Sequence, residues 1–108
     1  MSHLLKLRRP YYGYMDEVVP DRSTLTYFFR KDDGKGVTQI QVEINLKKSD
    51  EGEFIPESLT CCHYTQHMQW IDVFGEITPD STEKFGDWSD TDTLAQNVAT
   101  TALNFLRN

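Results

Sequence analysis

"VTQIQVEINLKK", residues 37–48, decides the fold. Ile40, Val42, Ile44 and Leu46 alternate with Gln39, Gln41, Glu43 and Asn45. A period of two puts apolar side chains on one face of an extended chain and polar ones on the other. The stretch therefore predicts a strand with one buried and one wet face. Just upstream, "STLTYFFRK" (residues 23–31) is rich in β-branched and aromatic residues, which suit a pleated, half-buried surface. "DDGKG" (residues 32–36) separates the two, and Asp33-Gly34 is a strong turn dipeptide. A hairpin follows. Leu25, Tyr27 and Phe29 then join Ile40, Val42, Ile44 and Leu46 on one apolar face.

Further upstream, "HLLKLRR" and "YYGYM" predict a first strand, broken or bent near Pro10 and Gly13. Proline has no amide donor and belongs at an edge or a kink. "VVPDRS" (residues 18–23) reads as the turn that follows. Downstream, "KSDEGEFIPES" (residues 48–58) reads as a polar loop with an aromatic interruption.

"LTCCHYTQHMQWIDVFGEI", residues 59–77, carries two competing periods. Leu59, His63, His67 and Ile71 fall at helical spacing, whereas Thr60, Cys61, Cys62, Tyr64, Thr65, Trp70, Ile71, Val73 and Phe74 are mostly strand formers. The favoured reading is two short strands, or one long bent one, ending at Gly75 or Thr78-Pro79. After an acidic loop, "DTDTLAQNVATTALNFLRN" places Leu94, Val98, Ala102 and Phe105 on one side, flanked by Ala95, Ala99 and Leu106. That is helical spacing. Ser89, Asp90 and Thr91 are able N-caps, Asp92 favours the positive end of the helix dipole and Arg107 the opposite end. A helix is predicted over residues 91–106. The sum is an α+β fold: an antiparallel sheet of four to five strands with one C-terminal helix packed on one face.

A chain of 108 residues suits one domain, residues 1–108. Hydrophobic residues at 38% suffice for one core and are too many for a disordered chain. No apolar run approaches the roughly 20 residues of a membrane span, and the N-terminal stretch has none of signal-peptide length. A soluble, cytoplasmic protein is expected. The adjacent cysteines, Cys61 and Cys62, agree with that, because they cannot cross-link distant parts of a fold.

The net charge of −6 is unevenly placed. Residues 1–48 balance at +3 and residues 49–108 at −9. The acids gather in "PDSTEKFGDWSD" (residues 79–90), where Asp80, Glu83, Asp87 and Asp90, with Asp92 just beyond, surround Phe85 and Trp88. Aromatic anchors in a field of one sign resemble an interface that steers a basic partner into contact. A structural alternative is that the two aromatics pin the loop to the core while the acids stay wet.

"TCCHYTQH", residues 60–67, holds both cysteines and two of the three histidines. Cys61, His63 and His67 are its candidate metal ligands, and Cys61 with His63 its candidate thiol–imidazole pair. The regular spacing of zinc sites is missing, as are an imidazole orienter and an oxyanion-hole glycine pattern. Core strand with a polar face is the favoured reading. No P-loop, dinucleotide fingerprint, Gly-x-Ser-x-Gly or His-Glu-x-x-His occurs. "KLRRPYYGY" (residues 6–14) mixes Lys6, Arg8 and Arg9 with Tyr11, Tyr12 and Tyr14. An acidic chain with so few cations there disfavours nucleic acid. The same stretch leaves a homodimer or a structural role in an assembly open.

The expectation is a non-catalytic, protein-binding domain without cofactor, of inhibitor or immunity type. It would occlude a basic surface of another protein with Asp80, Glu83, Phe85, Asp87, Trp88, Asp90 and Asp92. The alternatives are a small metal- or thiol-dependent enzyme built on Cys61, His63 and His67, and a structural subunit.

Overall fold

The computed structural model describes residues 6–7, 11–14, 22–32, 36–65, 67–81 and 84–107. Six strands and a helix follow in order: β1 (Lys6–Leu7), β2 (Tyr11–Tyr14), β3 (Arg22–Asp32), β4 (Val37–Lys48), β5 (Phe54–Tyr64), β6 (Trp70–Asp72) and α1 (Thr91–Arg107). The sheet runs β1-β3-β4-β5-β6, and β2 also pairs with β3. Every pairing is antiparallel. The short β1 and β2 share one edge, against Phe29 and Arg30 and against residues 23–26 of β3. The expected break near Pro10 falls between them and lies outside the described residues, as does the expected Asp33-Gly34 turn. The strands it joins pair in register from Arg22↔Lys47 to Asp32↔Val37.

Alternation along β4 sorts the two faces. Ile40, Val42, Ile44 and Leu46 are buried with Leu25, Tyr27 and Phe29 of β3 and Leu59 and Cys61 of β5. On this face α1 lays Leu94, Ala95, Val98, Ala99, Ala102 and Leu103. Burying a Leu or Val side chain stabilises by about 1.5–3 kcal/mol, so this one contact layer holds the fold. The expected helix stripe is off by part of a turn at its end. Leu103 is buried, while Phe105 is 64% exposed and rests its ring 6.2 Å from that of Phe74.

Asp90 is the helix N-cap. Its backbone carbonyl accepts from Leu94 N–H at 2.9 Å, and its carboxylate accepts from Thr93 N–H at 3.2 Å and Thr93 Oγ1 at 2.7 Å. Such a cap satisfies an otherwise orphaned donor of the first turn. Thr100 and Thr101 return their hydroxyls to the carbonyls of Gln96 and Asn97, which lets these weak helix formers sit mid-helix.

The region read as a loop to Ser58 is strand from Phe54 onward. The polar run and Pro56 argued for a loop, but a register shift accommodates them: Asn45 pairs with Ser58 and Leu46 with Pro56. Glu57 is the extra residue of this bulge. A bulge tolerates a proline that an unbroken ladder would not. Glu57 then reaches Arg22 on β3 at 2.6 Å.

Candidate functional site

The acidic loop is built from the helix cap backward. Phe85 enters the core at 3% exposure, 6.0 Å ring-to-ring from Phe74. Asn97 of α1 donates its side-chain amide to Phe85 O at 2.8 Å. Gly86 follows with φ +97°, where a Cβ would come within 3.3 Å of Asn97 Nδ2. Only glycine takes that turn without strain. Phe85 is thus the anchor that ties the loop to the helix, and its ring is not presented at the surface.

Three acids, two in the loop and one in the first turn of α1, have local structural work. Asp87 accepts Ser89 N–H at 2.9 Å, and this bond lowers its carboxyl below the ordinary value. Asp90 caps α1. Asp92 accepts from the Tyr27 hydroxyl at 2.7 Å. Asp80 is exposed at the start of the loop, and Glu83 lies outside the described residues.

Trp88 is half-buried, packs on the core, and has a buried indole Nε1–H with no hydrogen-bond partner. Its ring forms part of an open groove of about 520 Å³ together with Glu53, Phe54, Ile55, Pro56, Pro79 and Ser89. Phe54 and Ile55 are exposed large hydrophobics. Neither entered the expected site, although the "EFIP" interruption of a polar run was their signal. The groove exists because β5 begins early: the start of the strand comes alongside the loop that leads into the helix. Its apolar floor is flanked in sequence by exposed Glu53, Asp80, Asp87 and Asp90.

The structure keeps Cys61 and His63 on one face of β5, opposite Val42 and Ile40, but does not group them with His67. Cys61 is buried on the helix side of β5, and Cys62 faces the opposite side. Strand β5 ends at Tyr64, so His67 falls in the exposed turn that follows. Among the described residues no group of three or more His, Cys, Asp or Glu is placed to hold a metal ion. Burial pushes the Cys61 thiol from its ordinary 9.0 up to about 12, with Cys62 and Asp72 adding to the rise. A nucleophilic thiol needs the opposite shift. Burial, Asp72 and Glu43 raise Cys62 as well.

No described helix is long and apolar enough to cross a membrane. The chain matches no protein-family model, no curated protein and no solved structure.

Proposed function

We propose that this chain is a non-catalytic protein-binding domain of inhibitor or immunity type, working in the cytoplasm, that occludes a basic surface of another protein. One observation carries the reading. An apolar groove, lined by exposed Phe54 and Ile55 together with Pro79 and Trp88, has Glu53 in its wall and exposed Asp80, Asp87 and Asp90 adjacent in sequence to its lining residues. Contiguous exposed apolar surface with a charged rim is the layout of an interface. The −9 balance of residues 49–108 would draw a basic partner in from a distance. Phe54, Ile55 and Trp88 would then provide the apolar contact. Phe85, which the sequence placed among the contact residues, is buried in the core and is not a contact.

The test is co-purification of the chain from its own cells, followed by chemical cross-linking and mass spectrometry. A basic partner cross-linked beside residues 53–56 or 79–89 is expected. It should be lost with Phe54→Ala/Ile55→Ala, and Glu53→Lys/Asp80→Lys should slow its association about tenfold at low salt. Asp90 is left intact because its reversal would uncap the helix. A partner captured equally well by both double variants, or a chain recovered alone, would sink the reading.

A further inference from the structure

The outer edge of β6 carries backbone groups that its own sheet does not use. Thr65 N–H donates to Gln69 O and Val73 N–H to Cys61 O, each at 2.8 Å. Between these bonds, His63 stands opposite Ile71. Gln69, Ile71 and Val73 therefore turn their N–H and C=O toward β5. Antiparallel alternation turns those of Trp70 and Asp72 outward. Among the described residues no strand pairs with that side.

The side chains around this edge are apolar on both faces. Trp70 lies on the face away from the helix, its ring 5.1 Å from Tyr64 and 6.4 Å from Phe28. Ile71 lies on the helix side beyond the cover of α1 and is 45% exposed, and Met68 in the preceding turn is 80% exposed. Sheets of monomeric proteins blunt such edges with Lys, Pro, a bulge or a very short strand. The sequence of β6 is Trp-Ile-Asp, which has only its shortness among these. Its one charge, Asp72, is turned back to accept Gly75 N–H at 2.5 Å.

We infer that β6 is a pairing edge through which two copies of this chain associate, antiparallel about a two-fold axis at Ile71. In that register Trp70 of each copy faces Asp72 of the other, and the outward groups of both residues form hydrogen bonds in both directions. Ile71 meets Ile71 at the closely spaced, non-hydrogen-bonded site, where Cα atoms approach to about 4.5 Å. The two Asp72 carboxylates lie diagonally, not opposite each other. Centring on Asp72 would set them face to face, and centring on Trp70 would set Asp72 against the turn at Met68, whose φ is +62°. The axis at Ile71 is the one that uses both outward residues within the strand and separates the charge. An isologous contact repeats each of these bonds. The edge is short, so the dimer is reversible, and two copies at −6 each associate better as salt rises.

Sedimentation equilibrium on the full chain tests this. The average mass should climb from 12.6 kDa toward twice that value with concentration, and more readily at high salt. Ile71→Lys and Ile71→Glu should each remain monomeric, with circular dichroism reporting an unchanged fold. Mixed in equal amounts, they should associate at least as well as wild type, because opposite charges then meet on the axis. A wild-type chain still monomeric at about 1 mM, where even a contact of about 4 kcal/mol would be half formed, overturns the inference. So does a mixture no more associated than either variant alone, or a single charged variant that dimerises like wild type.

Discussion

The hydroxyl of Tyr27, a fully buried residue at the middle of β3, donates to Asp92 Oδ1 in the first turn of α1 at 2.7 Å, and Thr91 Oγ1 lies 3.0 Å from the Tyr27 hydroxyl oxygen. This joins residues far apart in the chain. It fixes where the helix begins over the sheet, and so where the loop behind the helix must lie.

Tyr27→Phe should keep the ring packing and lose this tie. A hydrogen bond to a charged group contributes about 1.5–3 kcal/mol. Because Asp92 is exposed and can rehydrate, we expect the lower end, a loss of about 1–2 kcal/mol. Thermal unfolding should report a midpoint lower by roughly 5–15 °C, given about 4–8 °C per kcal/mol for a domain of this size.

Phe85 and Asn97 make a second, separable prediction. Phe85→Ala removes a core ring and should cost about 3–5 kcal/mol. Asn97→Ala removes only the bond to Phe85 O, at about 1 kcal/mol. Native-state hydrogen exchange should then show faster exchange around residues 84–88 with little change along β4. Equal loosening of β4 would mean that the loop and the core open together, contrary to this assignment.

The buried thiol of Cys61 sets a pH dependence. Its value rises from 9.0 unfolded to about 12 folded, so above pH 9 the unfolded chain binds fewer protons than the folded one. Stability is fully present below pH 9 and falls as pH rises toward 12, by up to about 1.4 kcal/mol per pH unit from this group. Cys62 shifts in the same direction. Urea unfolding of wild type and Cys61→Ala at pH 8 to 11 checks this through the difference between the two. A gap that does not narrow with pH would contradict the assignment.

Strand β4, its pairing with β3 and the helix were legible because each rests on a local period. Two along residues 37–48 and 3.6 along residues 91–106 need no knowledge of neighbours. The start of β5 was not legible. Lys48, Asp50, Glu51, Glu53 and Pro56 carry loop chemistry, and only pairing with β4 through a bulge makes strand of the residues from Phe54 on. The acids of the loop were visible as a cluster and Asp90 as one of three possible caps, but Asp87 was not visible as a turn former nor Asp92 as a tyrosine's acceptor.

By itself, the order of residues determined the class of fold, the apolar face of the sheet and the helix that covers it. Only the tertiary structure decided that Phe85 is an anchor, that Phe54 and Ile55 meet Pro79 and Trp88 in one groove, and that Trp70 and Asp72 turn their backbone groups away from the sheet. The physical reason is that periodicity reports which face a residue occupies. Register and loop return decide which distant residue shares it, and those depend on contacts between segments that no local pattern encodes.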